Sequence, residues 1–203
     1  MYGCSNYGCL YQGLSELYGN YSVFLRSINL PTNQLTEIPA TMFEALPNLI
    51  EFDCSKNFIE VFPSSIKVCK KLFSLTMSEN NLTDLPESLI ECKELQRLDI
   101  TGNMMMEIPR VVTKMPQLQR LYASNMFLKE LPEDIGNLVN LEKLYLNGNC
   151  FSKLPGSFTK LKALNDLSLA GVPWLTMSKE RKVCINDVVK DLVGEYDTVF
   201  WSV

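Results

Sequence analysis

An α/β solenoid of parallel strands is the fold this chain predicts, on three observations. Asparagine recurs at Asn33, Asn57, Asn80, Asn103 and Asn149, at intervals of 24, 23, 23 and twice 23 residues. Around each Asn the apolar residues keep one frame, as in Leu95, Leu98, Ile100, Asn103, Met105, Ile108, Pro109 and in Leu141, Leu144, Leu146, Asn149, Phe151, Leu154, Pro155. Between the copies runs a second apolar set at spacing three, such as Pro86, Leu89, Cys92, Leu95 or Pro132, Ile135, Leu138, Leu141. Seven copies of the frame lie end to end over residues 25–172.

Each copy divides into strand, turn and return. Leu98 and Ile100 alternate with Arg97, Asp99 and Thr101, the period of a strand with one buried face. The Asn follows where the chain must turn, and its side chain can bond backbone groups that the turn leaves unpaired. The spacing-three set, opened by Pro, predicts a short helix or helical turns on the outer side. Successive strands are then parallel and joined by right-handed crossovers. One unit cannot stand alone. It buries about six medium apolar side chains at roughly 1.5–3 kcal/mol each, less than an ordering cost of about 1–2 kcal/mol per residue. Stacking gives every repeat two neighbours and makes up the difference.

The departures from the frame carry information. In the fifth copy Met126 stands where the Asn belongs and Asn125 sits one residue early, so either Asn125 reaches the turn or the turn goes without its bond. In the seventh, Val172 takes the Asn position and Pro173 ends the frame. Met42, Phe43, Leu46 and Leu49 accommodate the extra residue of the single 24-residue interval. The outermost repeats need caps. Residues 1–24 are the amino-terminal cap, without clear periodicity, and residues 173–203 are the carboxyl-terminal one. There Cys184, Ile185, Val188, Val189, Leu192 and Val193 mark an amphipathic capping helix, with Ser178 as its N-cap.

Repeats of this length, ending in Leu-Pro and joined by P-x-x-I/L-x-x-L/C-x-x-L segments, resemble the leucine-rich repeat family. They are most similar to the intracellular repeats of the Ras-pathway scaffold, of Scribble-type polarity proteins and of leucine-rich-repeat kinases that carry a GTPase module. The resemblance implies a horseshoe with a parallel concave sheet, short helical turns outside and a C-terminal capping helix. It also implies a non-catalytic protein–protein interaction module or scaffold of intracellular signalling, with a small GTPase or a phosphatase as the type of partner. The alternative from another class is the targeting or regulatory repeat segment of a larger multidomain kinase or GTPase. A third reading is an extracellular recognition domain with Cys4 and Cys9 in a cap, which counting free thiols would decide.

Composition narrows the chemistry. A net charge of -4 and a pI near 5.0 disfavour nucleic acid, whose grooves call for a basic excess. No histidine is present, which removes Ser-His and Cys-His nucleophiles and imidazole metal sites. No C-x-x-C pair, phosphate-binding glycine loop or G-x-S-x-G elbow occurs, so no catalytic residue, cofactor or metal is expected. Neither a signal peptide nor an apolar run of about 18 residues is found. Of seven cysteines, Cys54, Cys69, Cys92 and Cys184 fall on apolar positions, where thiols act as small buried hydrophobes. Their odd number and placement point to reduced thiols and a cytoplasmic location. The sequons at Asn20 and Asn81 weigh slightly against it.

What remains is a surface. One outward strand column reads Ser27, Glu51, Ser74, Arg97, Arg120, Lys143, Asp166, and its neighbour Asn29, Asp53, Thr76, Asp99, Tyr122, Tyr145, Ser168. Arg97, Asp99, Arg120, Tyr122, Lys143 and Tyr145 form the candidate partner site, because Arg and Tyr are enriched where interfaces concentrate their energy. Ordinary exposed strand residues, with basic stems covering neighbours, are the plainer account. A second candidate is an apolar ridge just after the Asn turn: Phe58, Met104, Met126 and Phe127. Partial burial along the loops is the plainer account there.

Overall fold

The computed structural model describes residues 22–172 and the backbone of a strand at 198–200. The capping helix expected over Cys184–Val193 and the amino-terminal cap up to residue 21 lie outside the described residues. Strands β1 (Ser27–Asn29), β2 (Glu51–Asp53), β3 (Ser74–Thr76), β4 (Arg97–Asp99), β5 (Arg120–Tyr122), β6 (Lys143–Tyr145) and β7 (Asp166–Ser168) pair in chain order, every pair parallel. The middle residue of each strand, from Ile28 through Phe52, Leu75, Leu98, Leu121 and Leu144 to Leu167, faces the core. Its two neighbours face outward. The register therefore stacks the two outward columns as the repeat frame requires.

Beyond β7 the chain returns to the sheet as β8 (Thr198–Phe200), with Val199 opposite Leu167. Within the expected carboxyl-terminal cap at 173–203, this strand is an element that the sequence pattern does not anticipate. It follows no Asn frame, and three residues are too few to show a period. Its pairing covers the backbone edge that β7 would otherwise leave open.

Each return segment starts at the Pro of its frame. Pro39 and Pro109 precede α-helical turns at Ala40–Glu44 and Arg110–Thr113, and Pro63, Pro86, Pro132 and Pro155 precede 3₁₀ turns at Ser64–Val68, Glu87–Glu91, Glu133–Asn137 and Gly156–Lys160. In every one the Pro carbonyl accepts the N–H three residues on, as from Leu89 to Pro86 at 3.0 Å. Proline fits because its fixed φ is already near helical and its missing N–H would have had no helical partner. The 24-residue interval ends in an aromatic cluster: the Phe43 ring lies 5.0 Å from Phe52 and 5.6 Å from Phe62.

From Asn57 onward the asparagines form a ladder buried between repeats. Asn57 Oδ1 accepts the N–H groups of Asn33 and Leu35, while its Nδ2 donates to the carbonyls of Leu30, Cys54 and Ser55. Asn80 and Asn103 repeat the pattern, accepting from Ile59 and Leu82 and donating both to their own turn and to the repeat before. At the fifth rung Met126 is fully buried and Asn125 is exposed. Asn125 therefore does not replace the missing rung. The turn is rerouted: Phe127 takes φ +60° and Lys129 N–H bonds Met106 O, while Asn149 Oδ1 accepts from both Met126 and Leu128. Repeat one behaves alike, with Gln34 at φ +58° and two donors on Asn57.

One position per repeat, just before the ladder, has positive φ: Thr32, Lys56, Glu79, Gly102, Asn125, Gly148 and Gly171. A side chain there costs about 1–2 kcal/mol, whereas glycine forfeits about 0.5–1 kcal/mol of chain entropy. Lys56→Gly should therefore raise stability by about 0.5–1 kcal/mol, read as a melting point a few degrees higher. The Lys56 ion pair with Glu79 at 3.5 Å is more than half exposed and contributes little against this. Gly148→Ala should move the melt the other way, because its new Cβ would also collide with Asn125 Oδ1.

Candidate functional site

Strands β4 to β7 assemble the site because the strict repeat length brings equivalent outward residues beside one another. Arg97 pairs with Arg120 and Arg120 with Lys143 in one column, and Asp99 with Tyr122 and Tyr122 with Tyr145 in the next. The two Tyr rings stack, 5.0 Å apart at 29°. Arg97 Cζ lies 5.2 Å from the Tyr122 centroid, the geometry of a cation over the electron-rich ring face. The six expected residues thus share one continuous surface.

Their charges are not equally available. Lys143 Nζ pairs with Asp166 Oδ2 at 3.0 Å, and the Tyr145 hydroxyl donates to the same oxygen at 2.5 Å. Asp166 was visible in the sequence as the next member of the Lys143 column, yet nothing there showed that it engages two of the candidate residues. Asp99 is half-buried and Oδ1 accepts the Thr101 N–H at 3.1 Å. Burial raises its carboxyl above the usual range despite that bond. The two columns together hold three basic and four acidic residues, Arg97, Arg120 and Lys143 against Glu51, Asp53, Asp99 and Asp166. With Lys143 paired, the positive charge open to a partner reduces to Arg97 and the exposed Arg120. Two buried atoms, Arg97 Nε and Asp166 Oδ1, have no hydrogen-bond partner.

The hydrogen bond to Asp166, followed by burial and the carboxylate's charge, pushes the Tyr145 hydroxyl up to about 12. Burial works to raise Asp166, but the bonds from Tyr145 and Lys143 outweigh it and hold the carboxyl below its ordinary value. The Tyr145 contribution to stability is complete below the unfolded tyrosine value of about 10 and is lost as pH rises through its higher folded value. That of Asp166 is present above the unfolded carboxylate value and is lost as pH falls through its lowered one. Asp166→Asn should bring the Tyr145 midpoint, followed by tyrosinate absorbance, down toward about 10; an unmoved midpoint would show that the bond is not what holds the proton.

The expected ridge divides. Phe58, Met104 and Phe127 are exposed, whereas Met126 is wholly buried and does not belong to it. The ladder position points inward from repeat two onward, so Met126 fills the slot that an Asn side chain fills in its neighbours. Exposed Val61 and Met106, on the same loops, were missed. The thiols of Cys54, Cys69 and Cys92 are free and buried, and Cys150 is free and exposed. Burial drives the Cys69 thiol up to about 12 and that of Cys92 up to about 11. Their Sγ atoms lie 3.4 Å from the carbonyls of Leu46 and Ile66 in the preceding repeats.

The family profile described as Leucine rich repeat matches residues 24–82, and that described as Leucine Rich repeats (2 copies) matches residues 116–156. The chain is a leucine-rich-repeat protein. Among solved structures it is similar to a leucine-rich-repeat protein of Leptospira interrogans, at 26% identity and a TM-score of 0.61, over 74% of this chain and 44% of that one. It is also similar to the plant peptide hormone receptor RGFR1 in complex with RGF2, at 33% identity and a TM-score of 0.61, over 71% of this chain and 24% of the receptor. The chain thus spans less than half the length of either structure. No curated protein matches it. Leucine-rich repeats generally mediate protein–protein interaction and are typically non-catalytic. Among the described residues of this leucine-rich-repeat protein, no helix is long and apolar enough to cross a membrane.

Proposed function

We propose that this leucine-rich-repeat protein is a non-catalytic interaction module or scaffold of intracellular signalling, cytoplasmic, that binds a protein partner on the concave face. The carrying observation is the arrangement on β4 to β7: a stacked Tyr122–Tyr145 pair, Arg97 laid over it, and Arg120 exposed beside it. Rigid aromatic faces and guanidinium groups supply much of the binding energy of protein interfaces. Partner carboxylates fit Arg97 and Arg120. A small GTPase or a phosphatase is the partner type this reading carries over from the intracellular repeats the sequence resembles. Free, buried thiols support the cytoplasm.

The test is capture from lysate by the purified chain, comparing wild type with Arg97→Glu/Arg120→Glu. The double variant should lose an acidic partner, and wild-type capture should weaken with salt. Its melt should fall by no more than about 1 kcal/mol, the scale of the single cation–π contact given up at Arg97. Undiminished capture by a folded double variant would refute the concave reading.

A further inference from the structure

We propose that the loop ridge is a second docking surface, separate from the concave face, and that its occupant is a basic amphipathic helix of another protein. Five large apolar side chains stand exposed there: Phe58 at 53%, Val61 at 75%, Met104 at 57%, Met106 at 62% and Phe127 at 66%. The fold does not require them. The same loop positions hold Gln34, Asn81, Thr36, Thr83 and Lys129 in other repeats. Backbone bonds stack the loops in register, Phe58 N–H to Leu35 O at 2.7 Å, Met104 N–H to Leu82 O at 2.9 Å and Lys129 N–H to Met106 O at 3.1 Å. The apolar groups therefore form two patches on the ridge, Phe58 and Val61 on repeat two and Met104, Met106 and Phe127 on repeats four and five, with the polar Asn81 and Thr83 of repeat three between them. Contiguous exposed apolar surface marks partner sites.

Charge selects the occupant. Glu37, Glu60, Asp84, Glu107 and Glu130 lie on these same loops, all exposed. None of them takes part in the ion pairs of the described residues, which involve Glu79, Glu91, Glu87 and Asp166 instead. Only Lys129 and Lys153 interrupt the acidic line. Apolar patches edged by carboxylates that no cation pairs favour a partner with apolar anchors flanked by Lys or Arg, and they repel acidic segments and anionic membranes. Spacing selects its shape. Adjacent strands lie about 4.8 Å apart, close to the about 5.4 Å rise of one helical turn. A helix lying across the loops thus sets about one turn on each repeat, with apolar anchors over repeats two, four and five and a polar position over repeat three, the groove-binding mode of amphipathic helices.

The experiment is fluorescence anisotropy with a labelled helical peptide of lysines and leucines, one leucine per turn, against a matched peptide with glutamate in place of lysine. The lysine peptide should bind saturably and the glutamate peptide should not. Met104→Ser/Phe127→Ser and Glu107→Lys/Glu130→Lys should each weaken binding at least about tenfold. Arg97→Glu/Arg120→Glu should bind the peptide at least as well as wild type, so failure here and failure of the concave reading remain distinguishable. All replaced ridge residues are exposed, and melting curves check that the variants are folded. The proposal is overturned if the lysine peptide does not saturate, if the glutamate peptide binds equally, or if the ridge variants bind like wild type. It is overturned also if sedimentation shows the chain dimerising through the ridge, which would make a second copy the occupant.

Discussion

Leu121→Ala is expected to lower stability by about 2–5 kcal/mol, the range for removing most of a fully buried leucine side chain. Leu121 is wholly inaccessible on the middle strand position of β5, between Leu98 and Leu144 of the flanking strands. Packed repeats on both sides limit how far the cavity can collapse, which places the cost high in the range. Leu98→Ala and Leu144→Ala should fall in the same range. Urea titration reads the effect as a lower midpoint with little change in slope. A negligible shift at all three positions would mean that these side chains do not face the core.

The strand register was legible because two periods agree. Alternation within each strand assigns the core face, and the constant repeat length places Arg97, Arg120 and Lys143, or Tyr122 and Tyr145, on adjacent strands. The stacking of the tyrosines follows from that alone. The division of charge did not: Lys143 and Tyr145 both turn to Asp166 one repeat away, a choice of side-chain rotamer that no spacing encodes. The positive-φ column was visible at Gly102, Gly148 and Gly171 but hidden at Thr32, Lys56 and Glu79, where the stacked backbone overrides the residue's preference. Met126 could have been placed from the frame, since from repeat two onward the ladder position is interior whether Asn, Met or Val occupies it. Neighbouring Met104 and Phe127 drew it onto the ridge instead. Strand β8 left no signal of its own, because it belongs to the sheet by pairing and not by repeat.

The unequal ladder leads to the second large effect. Asn149→Ala should destabilise the chain more than Asn80→Ala, although both residues are buried and occupy the same frame position. Asn80 accepts one backbone N–H, from Ile59 at 3.0 Å, and donates to the carbonyls of Cys54, Met77 and Ser78. Asn149 accepts two, from Met126 at 3.1 Å and Leu128 at 3.2 Å, and donates to the carbonyls of Ala123 and Leu146. The two residues thus make four bonds each and differ in how many N–H groups depend on them. A buried group left without its partner costs about 1–3 kcal/mol. Losing Asn149 strands at least two such donors, so its cost should reach about 2 kcal/mol or more. The turn it serves is also the one in which Met126 has already removed a rung, and Val172 holds the next ladder position, so the loss leaves three successive positions without a bridging amide. Asn80 has intact rungs on both sides, Asn57 and Asn103, which keep the adjacent turns tied. Chemical denaturation of the two variants should rank Asn149→Ala below Asn80→Ala by about 1 kcal/mol, the cost of one additional stranded N–H. Equal losses would mean that the rerouted fifth turn draws its stability from Met126 packing and not from the amide above it.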